Sequence, residues 1–593
     1  MRPLSLLSIG FASFGLLSAK TFHVDPSVQP EGNGDSWESP FGTLQAALVK
    51  AVPGDTVLLA KGIYVPTESP SPQGTDHTAS FVIEGGGITI RGGYSPGGGK
   101  QYDPLVYKSV LSGDFLNVFP DMNGDGLPDA GNDQGSDNIV RITNADSATV
   151  LEGLWIVSGY RRRDPSIIVG LDGAIPAGGA GVLADEGGEL RIDNCHFRNN
   201  NGDQAAGLAV QYDTNPLLPA QPLVISHSTF RNNGDLMAPN ATGGAIYARN
   251  ETITLTGCEF SDNVANSGGA LFFNGTFESS FPPVSNISEC QFKGNFCQFS
   301  GGAIFTTGIA NFQFTNNLFS GNHAGQTGFD FVKGGAVSAG HFGGAGFRNN
   351  TFAYNSAGGS IERFAAPGGA VSFTANSTNQ DTVFAGNLFH QNYATGGFGA
   401  FPASVDKDPS SNRNIVFYGN YASEEELPES DPARPNHTQF IGNGVLPPDF
   451  LAPLTFLPQT IGAHTRYLHS SAGDLRFPFT SHLVDLNRMS FISFPFNETD
   501  AAGAMRSIGF APDPGAFEAQ PPAGPPEIIG TDFDGVTFRV FFVSDSPVTI
   551  HSSTDLITWP FPTDGATISP LRFAYSPLFP KRFIRLSTSP SNE

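Results

Sequence analysis

Between residues 178 and 443 one pattern of apolar and polar positions recurs along the chain. Residues 252–260, TITLTGCEF, alternate small apolar with polar side chains, and residues 222–230, PLVISHSTF, do much the same. Period-two alternation predicts half-buried β-strands. Such runs end on Phe, with Asn three residues later. The pairs are Phe197/Asn200, Phe230/Asn233, Phe260/Asn263, Phe292/Asn295, Phe319/Asn322, Phe352/Asn355, Phe389/Asn392, Phe417/Asn420 and Phe440/Asn443. Successive Phe positions lie 33, 30, 32, 27, 33, 37, 28 and 23 residues apart. A near-fixed period of about 30 predicts a solenoid.

Gly-Gly-Ala keeps step with the Phe positions at 178–180, 243–245, 268–270, 301–303, 334–336 and 368–370. An offset set of the Phe motif, Phe314/Asn317, Phe347/Asn350 and Phe384/Asn387, lies five residues upstream in three repeats. Helix formers are scarce and Gly punctuates every repeat, which disfavours helical repeats. The predicted unit is one coil of a parallel β-helix, each coil about 4.8 Å above the last. Nine coils stack to roughly 40–45 Å.

Stacking places each repeat position above its equivalent. Phe is expected to stack on Phe inside the tube, and Asn to form an amide ladder at a turn. Gly-Gly allows positive φ at a tight bend, and Ala fits where the interior narrows. Two residues before the repeat Phe stand Cys195, Ser228, Cys258, Cys290, Asn317, Asn350 and Asn387, a column of small residues suited to an inward position. Cys297 lies in a loop. Four cysteines in an exported chain also fit two disulfides. Stacked side chains point the same way, which favours a buried thiol column.

Residues 43–51, TLQAALVKA, place Leu44, Ala47, Leu48 and Ala51 on one helical face and predict a helix that caps the N-terminal end. TVLLA (56–60) then reads as the first strand. Residues 424–435, EEELPESDPARP, read as a surface excursion. PPAGPP (521–526) reads as a linker. Residues 527–593 hold short strand-like runs and read as a small β domain, so the solenoid is assigned 20–520.

Composition narrows the function classes. The 593 residues include 72 Gly, 45 Pro and 51 Phe, against 13 Tyr and 3 Trp, and only 15% are charged. That is wrong for a disordered chain or a coiled coil. The net charge of −24 argues against a nucleic-acid partner. Residues 1–19 carry Arg2, an apolar run and a small-residue end, and read as a signal peptide. No later segment offers the roughly 20 apolar residues of a membrane helix. The expectation is a secreted or outer-surface bacterial protein, monomeric, without a transmembrane helix.

The paired Gly-Gly-Ala and Phe-x-x-Asn motifs resemble the repeats of the polymorphic outer membrane protein family. Residues 23–66 are similar to the N-terminal segment of secreted right-handed β-helix proteins. DPGAFE (513–518) resembles the end of choice-of-anchor β-helix proteins. STDLITW (553–559) with RFIRL (582–586) resembles a small sorting-type domain of exported proteins in verrucomicrobial-type bacteria. The resemblance implies an all-β, single-stranded right-handed parallel β-helix of the pectate-lyase-like kind. It also implies an adhesin-like role, although the C-terminal barrel of the autotransporters is lacking here.

The most pointed chemical motif is DMNGDGLPD (121–129). Asp121, Asn123, Asp125 and Asp129 alternate oxygen ligands, Leu127 offers its carbonyl, and Gly126 takes the sixth position of a calcium loop. The twelfth position is Asn132, and an acidic turn fits the same residues. Arg161, Arg162, Arg163 and Asp164 read as a solvated loop. His196, His227, His323 and His390 share no common offset and read as solvent-facing. The Asn-Thr-Asp, Gly-His-Gly and Arg-Ile-Lys signatures of pectinases are absent, as are His-Glu-x-x-His and Gly-x-Ser-x-Gly. The sequence therefore favours a non-catalytic protein that adheres to a surface or binds an extracellular polysaccharide or cell-surface glycan. The alternatives are a polysaccharide lyase or glycosidase, and a purely structural surface protein.

Overall fold

The computed structural model describes residues 19–28, 32–67, 79–114, 136–160 and 179–358, less 203–204, 212–221, 237–240, 250, 276–283 and 326–331. Later it describes 368–373, 382–390, 392–394, the strands named below, 475–476, 500–502, 504 and 515–517. The expected signal peptide, calcium loop, Arg161–Arg163 cluster, acidic excursion and Pro-rich linker lie outside the described residues, apart from Ala19 at the end of the first.

The chain winds as a right-handed parallel β-helix. A full coil has up to four short strands. Ile246–Arg249, Thr252–Thr256, Glu259–Ser261 and Val264–Ser267 form one, and Leu271–Asn274, Val284–Ser288, Gln291–Lys293 and Phe296–Ser300 form the next. Each strand pairs in parallel with its equivalent above and below. The first two faces merge into a sheet of 20 strands, while the third has 12 and the fourth 5. The merger occurs where 304–315 and 337–348 each run as one bent strand across both faces. A right-handed crossover is the rule for parallel strands joined this way.

Thr21–Val24 precedes and pairs with Thr56–Ala60, so the expected first strand is the second on its face. The cap helix is shorter than its amphipathic pattern, Leu44–Leu48, with the Thr43 side chain accepting a hydrogen bond from the Ala46 amide. Leu44 and Ala47 are buried, and Leu48 and Ala51 pack against the same core.

Two side-chain columns hold the third face. Phe197, Phe230, Phe260, Phe292, Phe319, Phe352 and Phe389 are in register. Their rings stack nearly parallel with centroids 4.4–5.1 Å apart. All seven are fully buried. Burial of each contributes about 3 kcal/mol at most, and each ring pair adds roughly 1 kcal/mol. The second face carries a matching stack, Phe314, Phe347 and Phe384. Phe417 pairs with Phe384 rather than Phe389, so it belongs to this second column and not to the third-face repeat.

Beside the Phe column runs the amide ladder of Asn200, Asn233, Asn263, Asn295, Asn322, Asn355 and Asn392. Each Nδ2 donates to the next Oδ1 at 2.9–3.0 Å. Its second hydrogen goes to the backbone carbonyl at the Phe position of the preceding coil, as Asn263 does to Phe230 at 2.9 Å and Asn200 to Ile156 at 3.0 Å. Each Oδ1 also receives the backbone N–H of the Asn before it. A buried amide is affordable only when satisfied in this way.

A second ladder occupies the column two before the Phe. Asn317, Asn350 and Asn387 bond as the first ladder does. Cys195, Cys258 and Cys290 hold the same position in earlier coils, with their thiols donating to strand carbonyls. All four cysteines are buried free thiols. Burial pushes the Cys195 thiol up to about 12, which suits an inert core residue.

In the Gly-Gly-Ala step the two glycines serve different ends. Gly301 has φ +72°, whereas Gly302 is needed for space, since a Cβ there would lie 2.0 Å from the Gly335 carbonyl oxygen. The positive φ that Gly-Gly permits falls on the first glycine at Gly243, Gly268, Gly301, Gly334 and Gly368, and on the second, Gly179, in the 178–180 step.

At the C-terminal end Glu527–Phe533, Phe538–Val543, Ile568–Ser569 and Arg572–Tyr575 form a four-stranded antiparallel sheet, and Val548–Ser553 pairs antiparallel with Phe583–Thr588. The remaining late strands are Val405–Lys407, Ile415–Tyr418, Tyr421–Ser423, Gln439–Ile441, Phe456–Ile461 and His464–His469.

Candidate functional site

The residues on either side of each repeat Phe point outward, because alternation along a three-residue strand leaves them no other direction. One outward column on the third face therefore reads Ile63, Val110, Trp155, His196, Thr229, Glu259, Gln291, Leu318, Thr351 and Leu388. The other reads Ser112, Val157, Arg198, Arg231, Ser261, Lys293, Ser320, Ala353 and His390. Both columns are mostly polar in their middle coils; beyond residue 317 they are half apolar, with Leu318, Leu388 and Ala353 beside Thr351, Ser320 and His390, and all six are buried.

The apolar part is covered. Leu475, Ala501, Ala516 and Phe517 pack on Leu318, Ala353 and Tyr354. The Gly515 amide donates to the Gly386 carbonyl, and the Ala516 amide to Thr351 Oγ1 at 2.8 Å. Gln291 Nε2 reaches the Ala501 carbonyl at 3.2 Å. Asp500 closes the turn by accepting from the amides of Ala502 and Ala504. These residues form a strap across the late coils. Part of the DPGAFE segment thus has a structural task here.

At the other end Trp155 Nε1 donates to the Pro104 carbonyl at 3.1 Å, which seats the 102–107 loop beside the strip. Leu105 and Val106 at its tip are exposed. Between loop and strap lies a strip of about four coils that carries no such cover among the described residues. Lys108 Nζ sits 4.7 Å from the centre of the Trp155 ring, a cation–π contact. The Trp155 and His196 rings lie 4.1 Å apart. Arg198, Arg231 and Lys293 line the second column, with Ser261 between the last two. Arg231 meets Asp262 at 3.9 Å and Lys293 meets Glu259 at 3.8 Å. Pairs this long and exposed contribute little to stability.

The histidines depart from expectation. His196 and His390 are each only 8% exposed. They point outward, but neighbouring rings cover them, Trp155 over His196 and Tyr354 edge-on to His390 at 5.2 Å. His323 Nδ1 lies 2.7 Å from Ser356 Oγ. His227 alone keeps a solvent-facing position, 3.1 Å from Asp193. Burial holds His196, His323 and His390 down at about 4, with Lys108 assisting at His196. An unfolded His titrates near 6.5. Between those values the unfolded chain binds protons that the fold refuses. Stability is therefore expected to be flat above pH 6.5 and to fall toward pH 4, by up to about 3 kcal/mol per histidine. Urea unfolding at pH 7, 5.5 and 4.5 measures this, and His390→Gln should flatten the acid limb. An unchanged midpoint over that range would contradict the assignment.

A second polar cluster lies on the outer surface of the early coils. Arg91 and Glu152, stacked in register, form an ion pair at 2.7 Å. Tyr102 OH bonds Glu152 at 3.1 Å. Rings continue from Tyr102 through Tyr94 and Trp37 to His23. This cluster pins two surface loops to the coil.

Of the strip residues the sequence singled out only His196, as a solvent-facing histidine, although a signal for the others was present. The triplets around the repeat Phe are HFR, TFR, EFS and QFK, then LFS, TFA and LFH. The change at 318 marks where the strap begins. The repeat Phe and Asn residues themselves are core. Among the described residues no group of three or more His, Cys, Asp or Glu side chains is placed to hold a metal ion.

The family model of a right-handed β-helix region matches residues 174–352. A comparison with curated proteins gave no match. Among solved structures the chain is similar to the pectate lyase Pel9A, at 16% identity over 84% of this chain and 96% of the other, with a TM-score of 0.43. It is similar to a rhamnogalacturonan lyase at 14% identity over 70% and 89%, with a TM-score of 0.39. A third similarity is to the xylose complex of XylC, at 10% identity over 84% and 99%, with a TM-score of 0.38.

Proposed function

We propose that this protein is an exported, non-catalytic β-helix that binds an extracellular glycan on the open strip of its third face. The observation that carries this reading is the contrast along that face. The late coils are buried beneath the protein's own strap. The middle coils present Trp155, Thr229, Arg198, Arg231 and Lys293 without such a cover among the described residues. An aromatic ring beside hydroxyl, amide and charged groups matches the two sides of a sugar, one apolar and one hydroxylated. The strip is a flat sheet surface, which supports binding along an extended chain rather than enclosure of one reacting bond.

Electrophoresis through gels holding polysaccharides tests this. At least one glycan should retard the protein, and Trp155→Ala and the exposed Arg231→Glu should each weaken retardation roughly ten-fold while melting cooperatively. New reducing ends or unsaturated products in the same incubations would replace the binding reading with the enzyme alternative. No retardation by any glycan would overturn both.

The reading includes a structural Ca²⁺ held by Asp121, Asn123, Asp125, the Leu127 carbonyl and Asp129. Calorimetry should show stoichiometric Ca²⁺ binding that is lost in Asp125→Asn. No heat in the parent protein would end the idea.

A further inference from the structure

Asp55 stands between the cap helix and Thr56–Ala60 and is only 3% exposed. Its carboxylate is held at both oxygens. Oδ2 accepts from the Val52 amide at 3.0 Å, and Oδ1 accepts from the Lys20 backbone nitrogen at 2.7 Å. Both donors are neutral amides, and among the described residues no Lys, Arg or His side chain pairs with this carboxylate. A buried carboxylate is costly unless a cation meets it. The coil itself does not require an acid there. Asp55 precedes Thr56, and the same place in the next coil, before Thr89, holds Ile88. What is particular to Asp55 is Lys20, which precedes Thr21 in the strand stacked beneath. Lys20 is fixed on its other side too, its carbonyl accepting from the Thr56 amide at 2.8 Å. Ala19, Lys20 and Thr21 are exposed, so a peptidase can reach the bond between Ala19 and Lys20. That bond follows the small residues Ser18 and Ala19, which end the leader-like run 1–19.

We propose that Asp55 is the seat of a processed N-terminus: an export peptidase selective for small residues cleaves after Ala19, and the new α-ammonium of Lys20 pairs with Asp55. Water adds across the amide. Its oxygen joins the Ala19 carbonyl carbon, which departs as a carboxylate. The C–N bond breaks, and the Lys20 nitrogen takes up the protons of the water and becomes an ammonium. The nitrogen that donates to Oδ1 as a neutral amide then donates to it as a cation, with no movement of the strand. Its other two hydrogens face water, because Lys20 is exposed. A charge-assisted bond of this kind is roughly twice as strong as a neutral one. Removal of the leader thereby fastens Thr21–Val24 to the cap and tightens the first coil. This proposal rests on the exported part of the reading above and is independent of the glycan.

The test exports the full chain from a bacterial host and reads the N-terminus of the released protein by mass spectrometry. Its first residue should be Lys20. The α-amine is then acetylated near neutral pH, where it reacts ahead of the more basic lysine side chains, and hydrogen exchange is followed at the Val52 and Thr56 amides. Acetylation returns the nitrogen to a neutral amide donor, so exchange at both positions should quicken roughly ten-fold. In Asp55→Asn the carboxylate charge is gone, and acetylation should change exchange by less than about two-fold. Should that variant fail to fold, acetylation of the parent protein decides alone. A chain kept inside the cell with residues 1–19 attached would remove the exported reading along with this one. An exported chain that begins at another residue would overturn the seat at Asp55 and leave export standing. Exchange indifferent to acetylation, or equally sensitive to it in Asp55→Asn, would do the same.

Discussion

Replacing Asn322 by Ala is expected to lower stability by about 4 kcal/mol, among the largest effects a single substitution has. The side chain is fully buried. Its Oδ1 accepts from both the backbone amide and Nδ2 of Asn295, and its Nδ2 donates to the Phe292 carbonyl and to Asn355 Oδ1. Truncation orphans two donors below and takes one donor from each of two acceptors, Asn355 Oδ1 keeping the backbone N–H of residue 322. Each buried orphan costs about 1–3 kcal/mol, with some relief from relaxation. The effect should propagate, because the ladder has one satisfied arrangement and each amide orients the next. Asn322→Asp should be comparably harmful, since it retains the acceptor but loses the donor and buries a charge. Chemical denaturation of both variants provides the measurement. A loss under 1 kcal/mol for either would mean that the ladder is not the support described here.

Gly302→Ala should be nearly as damaging, by about 3 kcal/mol or more. Its φ is not in the left-handed region, so the argument is one of space alone. The new Cβ would meet the Gly335 carbonyl oxygen at 2.0 Å and the His323 backbone at 2.7 Å. Both are backbone atoms of stacked strands and have no rotamer to change. Relief requires moving one coil off its neighbour, which breaks the parallel pairing on both flanking faces. The loss should appear as a lower melting temperature with a broadened transition, because solenoid stability is a sum of neighbour interfaces. Gly54→Ala, where φ is +99° but no atom lies within 4 Å, provides the comparison. It should cost only the backbone strain of about 1–2 kcal/mol.

These two positions show what was legible in the sequence. Stacking multiplies one residue choice over many coils, so Phe-x-x-Asn announced both the ring stack and the ladder. The offset Phe314, Phe347 and Phe384 likewise announced the second stack. The residue just before each ladder Asn was hidden. Among the described residues it takes positive φ, at Asn199, Asn232, Asp262, Gly294, Gly321 and Tyr354. A shared backbone conformation does not enforce a shared side chain, and Tyr354 in particular is foreign to that region. The column two before the Phe, Cys in early coils and Asn in late ones, was legible as one inward position, but its bonding was not, since a thiol and an amide look unrelated until both are seen bonding strand carbonyls. The strap could not be read at all. Gln291 and Ala501 are 210 residues apart, and nothing local in either segment names the other. The strip was half legible through the triplets around Phe. Its meaning depended on knowing which coils the strap covers.

The central claim is that the uncovered part of the third face is where this β-helix meets its glycan. A crystal structure of the protein soaked with an oligosaccharide of a glycan that retards it tests this most directly. Our account predicts a sugar chain running across successive coils over Thr229, with one ring beside Trp155 and polar groups facing Arg198, Arg231 and Lys293. Density for the ligand on another face, with this strip empty at saturating oligosaccharide, would contradict it.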